Sequence, residues 1–250
     1  MLIGDSIMGQ VMGALELELL RHGNDSVAAV FDSNEYARLF PKRTALAIAK
    51  ACRLPVRSVR LARGARLSLY SVHLRPSAGT DGMSAQWSTV DRALASADVV
   101  VANFGLHWRR TDRQLYIRHV GHLAEKLAAF AGERPAARLA VLLETLPQHF
   151  PSRGHTGDFD DLTATGPCQP VARAAGPGWR NIAARSIAAS HGVHLLRAHQ
   201  AMAPLHAKHV NDECTHWCYD RIIFAPILDG LFRLAIKSTR TALHTAGAGV

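Results

Sequence analysis

Residues able to break an ester stand at the two ends of this 250-residue chain. Ser6 lies in Gly4-Asp5-Ser6, and His216 lies in Glu213-Cys214-Thr215-His216-Trp217-Cys218 with Asp212 just before it. A serine hydroxyl is a weak nucleophile until a base takes its proton and an acid orients that base. Ser6 is the candidate nucleophile, His216 the candidate base, and Glu213 and Asp212 are rival acids. Such a set attacks an ester carbonyl, and the charge that develops is held by backbone N–H groups at a helix start. Gly-Asp-Ser alone reads first as a turn with a helix cap. The chemical reading requires the two ends of the chain to meet.

The elements that must bring them together follow from patterning. Met1 to Ile3 reads as the end of a buried strand. From Ile7 to about Arg21 the apolar Val11, Met12, Leu15 and Leu19 recur at helical steps, and Gly23 stands where a helix-ending glycine belongs. Strands are expected over 26–32, 67–74, 99–102, 137–143 and 193–196. Helices are expected over 35–40, 44–52, 88–94, 115–130, 181–189 and 221–236. Alternation of this kind predicts an α/β fold, a three-layer sandwich with a central parallel sheet flanked by helices. Sites in such sheets lie at the carboxyl ends of the strands. Three loops qualify: Gly4 to Ser6, Asn103 to Trp108, and Glu144 to Phe150. The stretch 147–177 is aperiodic and rich in Gly, Pro, His and Asp, and a loop that long is usually functional or disordered. One catalytic domain over 1–238 and a flexible tail over 239–250 are expected. The chain begins inside a core strand, so a truncated N-terminus is also expected.

Composition narrows the partners. Apolar content of 48% with 20% charged residues describes a globular chain. No run approaches the roughly 20 apolar residues of a membrane span. Lys and Arg exceed Asp and Glu by 29 to 20. The basic residues are scattered without interleaved aromatics, which argues against nucleic acid. An acidic polysaccharide or a phosphate-bearing surface fits the same charge.

The residues carry a more specific likeness. Gly4-Asp5-Ser6, Asn103-Phe104-Gly105-Leu106-His107-Trp108, Glu144-Thr145-Leu146-Pro147-Gln148-His149-Phe150-Pro151 and Glu213 to Cys218 resemble, in order, motifs of the PC-esterase group of the GDSL/SGNH hydrolases. That group includes the trichome-birefringence-like polysaccharide O-acetyltransferases and the sialic acid O-acetyltransferase domain. The resemblance implies Ser6 as nucleophile and His216 as base, with Glu213 where the group has Asp. It implies an oxyanion site from the Ser6 N–H with Asn103 and Gly105, and it makes His107, Trp108 and His149 substrate-contact candidates. For those rings, core packing is the competing reading. It also implies a disulfide from Cys168 to Cys214 or Cys218, leaving Cys52 over, and passage through the secretory pathway if a missing N-terminus carries a signal. The chain departs from the plant members at Gly9, where they carry Arg, and at Tyr219-Asp220-Arg221.

The implied activity is serine-dependent O-acyl transfer or ester hydrolysis on carbohydrate hydroxyls. The partners are a glycan acceptor and a small acyl donor, with no cofactor, no nucleic acid and a monomeric chain. Two readings compete. His206, His209, Cys214, His216 and Cys218 are metal-ligand types close in sequence, in an order that matches no zinc module. The loss of Arg at position 9 and the Asp-to-Glu change suit a catalytically inactive SGNH-like glycan-binding protein.

Overall fold

The computed structural model describes residues 1–22, 58–60, 66–68, 71–73, 84–103, 105–162, 166–209, 213–217 and 221–247. The elements expected over 26–32, 35–40 and 44–52 lie outside them, as do Cys52, Asp212 and Cys218.

Strand β1 (Leu2–Gly4) runs into helix α1 (Ser6–His22) after a single residue. Strands β2 (Ser58–Arg60) and β3 (Arg66–Ser68) form an antiparallel ribbon of their own. The strand expected over 67–74 is therefore two strands, because β4 (Ser71–His73) instead joins the main sheet. Then follow α2 (Ser84–Ala95), β5 (Val99–Asn103), α3 (Arg113–Glu133), β6 (Leu139–Leu143), α4 (Gly178–His191), β7 (His194–Leu196), the short α5 (His199–Met202) and α6 (Arg221–Gly247). The main sheet has the order β4-β1-β5-β6-β7 and every pairing in it is parallel. This is the α/β sandwich that the alternation predicts.

The pleat sorts the core into two layers. Leu2, Val101, Leu139, Val141 and Leu143 face α1 and α6, where Val11, Met12, Leu15, Phe224 and Ile227 cover them. Ile3, Val100, Ala102, Ala140 and Leu142 face α2, α3 and α4. Both faces are apolar because both are covered, which is why the strands read as continuous apolar runs.

From β1 the chain moves to β4 on one side, then crosses to β5 on the other. The order reverses at β1 and β5, and ligands gather outside such a switch point. Gly4 pairs with Asn103 there, so the turn carrying Ser6 and the loop after β5 leave the sheet side by side.

Two boundaries differ from the patterning. Helix α6 continues to Gly247, through the stretch expected as a tail. No glycine or proline interrupts it between Gly230 and Gly247, and 239–246 holds no strong helix breaker. Helix α4 begins at Gly178, directly after Pro177, and ends at Gly192 in the left-handed conformation.

Candidate active site

Ser6 is half-buried as the first residue of α1, in the positive end of the helix dipole. The turn before it is braced by Asp5. That carboxylate is buried and accepts hydrogen bonds from Ile7 N at 3.1 Å and Leu106 N at 3.2 Å. It thereby clamps the Ser6 turn to the loop after β5. Burial pushes the Asp5 carboxyl pKa up, against the pull of His107, the two N–H donors and His216.

The two chain ends do meet. His216 Nε2 lies 2.7 Å from Ser6 Oγ, and His216 Nδ1 lies 2.5 Å from Glu213 Oε2. The same oxygen accepts the His216 backbone N–H at 2.9 Å. An ionised carboxylate only accepts, so Nδ1 carries the proton and Nε2 presents its lone pair to the serine hydroxyl. Burial works against the Glu213 carboxylate, yet the bonds and charge of His216, with the bond to Thr215, outweigh it and hold its pKa below the usual range.

The loop bearing His216 is held from three sides. Gln10, one turn after Ser6, donates to Trp217 O at 2.6 Å and accepts from Trp217 N at 3.1 Å. Gln10 is 1% exposed. It was not singled out in the sequence, although a lone amide on the apolar face of α1 was the available signal. Beneath the loop, His209 Nδ1–H donates to His216 O at 2.9 Å, and its ring stacks on Trp217 with centroids 4.1 Å apart. The third tie is the disulfide Cys168–Cys214, which joins the loop to the long segment after β6. That segment, expected as an aperiodic loop, is fixed by short helical turns at Arg153–His155, Phe159–Asp161 and Arg173–Ala175.

The disulfide spans 46 residues, and closing a loop of that length restricts the unfolded chain. Cys168→Ser is expected to lower unfolding free energy by roughly 2–4 kcal/mol, read by urea denaturation with and without reductant. The parent protein should lose the same amount on reduction, and the variant should lose nothing further.

The substrate-contact candidates divide. His107 is exposed beside the Ser6 turn. His149 is instead wholly buried: its Nε2–H donates to Ala203 O at 2.8 Å, and its Nδ1 lies 2.6 Å from His209 Nε2. Trp108 is 2% exposed and packs on Tyr116 and His119. Both are therefore packing residues in this fold and present no surface to a substrate. Burial lowers the His149 pKa to about 4, with the Ala203 bond opposing and the neighbouring histidines adding to the fall.

Asn103 and Gly105 reach the site but turn to each other. Asn103 Oδ1 accepts from Gly105 N at 3.3 Å, while Asn103 Nδ2 donates to Leu143 O at 2.8 Å and to Thr145 Oγ1 at 3.5 Å. Ser6 N–H has no hydrogen-bond partner among the described residues. Two residues of the zinc reading are otherwise engaged, and a third, Cys218, lies outside the described residues. The Cys214 sulfur is spent in the disulfide, and His216 is engaged with Ser6 and Glu213. Among the described residues no three candidate ligands gather.

No protein-family model matches the chain, and no curated protein matches it. Among solved structures, the lipase/acylhydrolase from Enterococcus faecalis is similar to it at 14% identity and a TM-score of 0.38, over 70% of this chain and 78% of that one. A likeness of that size carries no weight beside the geometry.

Proposed function

We propose that the chain is a GDSL/SGNH-type serine acyl-ester enzyme of the PC-esterase kind. It moves an acyl group, acetyl foremost, from an ester to a carbohydrate hydroxyl or to water. The observation that carries this is the continuous path Ser6 Oγ–His216–Glu213, with contacts of 2.7 and 2.5 Å.

The steps balance. His216 Nε2 takes the Ser6 proton as Oγ bonds to the ester carbonyl carbon. The resulting oxyanion rests on the free Ser6 N–H. The second donor is the Asn103 amide, whose weak 3.5 Å contact with Thr145 is the one an oxyanion replaces. The imidazolium returns the proton to the leaving alcohol, and the acyl group stays on Ser6. An incoming sugar hydroxyl or water then gives its proton to His216 and attacks the acyl carbon, and the imidazolium returns that proton to Ser6 Oγ as the acyl–serine bond breaks. Glu213 stabilises the imidazolium throughout.

The inactive glycan-binding reading rested partly on glutamate replacing aspartate. Glu213 still reaches Nδ1, because one carboxylate oxygen spans both the backbone N–H and the ring of His216. The decisive experiment is intact-mass detection of an acyl adduct on Ser6 after incubation with an activated acetyl ester. An unmodified protein at every time point overturns the proposal. Glu213→Gln is expected to lower the acylation rate by roughly a hundredfold, since the amide leaves the imidazolium unpaired and offers Nδ1 a weaker acceptor. Stopped-flow release of nitrophenol from an acetyl ester measures it. An unchanged rate removes Glu213 from the mechanism and returns the role to Asp212.

A further inference from the structure

Two histidines under the catalytic loop sit where two neutral rings do not fit. A carbonyl oxygen only accepts, so each ring nitrogen that meets one must bear a proton. His149 Nε2 meets Ala203 O at 2.8 Å, and His209 Nδ1 meets His216 O at 2.9 Å. In a neutral imidazole the other nitrogen is then a bare lone pair. Those other nitrogens, His149 Nδ1 and His209 Nε2, face each other at 2.6 Å. Two lone pairs repel at that distance. One proton between them makes a short, charge-assisted N–H···N bond instead. The contact therefore calls for a third proton, and the pair then carries a positive charge.

The neighbours of the pair both favour and oppose that charge. Both rings pack on the indole of Trp217, His209 with centroids 4.1 Å apart and His149 nearly perpendicular at 5.2 Å. Indole is the side-chain ring that attracts a cation most strongly. Glu213 adds a carboxylate that favours the charged form of His209. Against it stand His199 and His206, which face His149, and His206 and His216, which face His209. Burial opposes the charge most and lowers both pKa values. The third proton is therefore held on the acid side of the ordinary histidine range, and it belongs to the pair rather than to either ring.

The same two residues pin the loop that bears the base. His149 N donates to Cys214 O at 2.9 Å, and His209 forms an antiparallel bridge with Trp217. The His209 ring holds the carbonyl of His216 itself. With the third proton, a continuous run of hydrogen bonds joins Ala203 to the backbone of the base. Without it the middle link is a repulsion. One ring must then turn, and it gives up either Ala203 O or His216 O.

We propose that His149 and His209 are positioning residues that fasten the catalytic loop through one shared proton. Acid closes this link and rising pH opens it. The effect on rate rests on the acyl-transfer reading, whereas the shared proton does not. His216 must itself be neutral to act as a base. Acylation therefore needs the pair loaded and His216 unloaded, and their product is a bell-shaped profile with its maximum in mild acid.

Single-turnover acylation of the full-length chain by nitrophenyl acetate, followed from acid to alkaline pH with the Ser6→Ala chain as blank, tests this. The rate should rise as His216 sheds its proton, then fall by roughly tenfold or more as the pair sheds its own. A small misplacement of a catalytic group has an effect of that size, up to about a hundredfold. His149→Gln is the conservative rescue, because an amide N–H can donate to His209 Nε2 at every pH. It should abolish the alkaline fall and keep the maximum rate within roughly tenfold of the parent. His209→Leu, which cannot hold His216 O, should be slow at every pH. A role in packing alone would lower the rate in both variants and leave the shape of the profile unchanged, and that result overturns the proposal.

Nitrogen-15 NMR of the histidine-labelled parent reads the proton directly and needs no turnover. The expected signal is one strongly deshielded N–H proton coupled to nitrogens of both rings in acid, lost as pH rises. Rings that each keep a single N–H throughout the folded range also overturn the proposal. A shared proton in a chain that forms no acyl adduct on Ser6 sinks acyl transfer and leaves the pair standing. Acylation with the alkaline fall retained in His149→Gln sinks the pair alone.

Discussion

Replacing Ser6 by alanine is expected to lower ester turnover by roughly a millionfold, to whatever oriented binding alone supplies. The substitution removes the oxygen that the proposed mechanism has His216 deprotonate, and adds nothing. Its structural effect is small, because Ser6 Oγ makes one side-chain hydrogen bond, to His216, at a half-buried position. A single such bond contributes about 1 kcal/mol, so the melting temperature should move by a few degrees at most. The helix start, the Asp5 clamp and the Gln10–Trp217 pair stay in place, and the substrate still docks. Turnover of an acetyl ester and labelling by a fluorophosphonate should vanish together. Turnover that survives in a folded variant would mean that another group, such as a His216-activated water, performs the chemistry. Lost turnover with labelling retained would mean that the probe marks a different nucleophile.

The residues of this constellation were legible early because each carries a local signal. Gly-Asp-Ser between an apolar strand and an amphipathic helix, and a histidine three residues after an acid, need only a few neighbours to be noticed. Their meeting follows from packing, since α6, which follows the His216 loop, lies with α1 on the same face of the sheet. Residues whose role depends on distant partners were not legible. Gln10 and Trp217 are 207 residues apart, and nothing near either one announces the other. His149 and Trp108 have the side chains of a sugar site, yet burial, set by packing from His209, Trp217, Tyr116 and His119, decides against it. The start of α4 was hidden for the same reason. Gly176-Pro177-Gly178 reads as loop, although it delivers the first turn of α4 to the end of β6.

Gly4→Ala is expected to cost more than roughly 4–5 kcal/mol and to leave little folded protein. A Cβ at this position would lie 1.6 Å from Asn103 O, 2.8 Å from Asn103 C and 2.4 Å from Met8 Cγ. The first two atoms are backbone in the neighbouring strand, so no side-chain rotation relieves the clash. Relief requires β1 to part from β5, and Gly4↔Asn103 is the last rung of their ladder. Opening that rung also moves the turn that carries Ser6 and the Leu106 N–H that Asp5 holds. Gly9→Ala is the matched comparison one turn further on. It lies exposed in α1, where an added Cβ meets nothing within 4 Å. There alanine should stabilise by about 0.5–1 kcal/mol, because a helix interior favours it over glycine. Circular dichroism melts of the two variants read opposite signs if the strand–turn–helix at the switch point is packed this closely. A Gly4→Ala protein that melts like the parent would show that β1 and β5 are not in contact at Gly4. The path from Ser6 to the loop after β5 would then need another geometry.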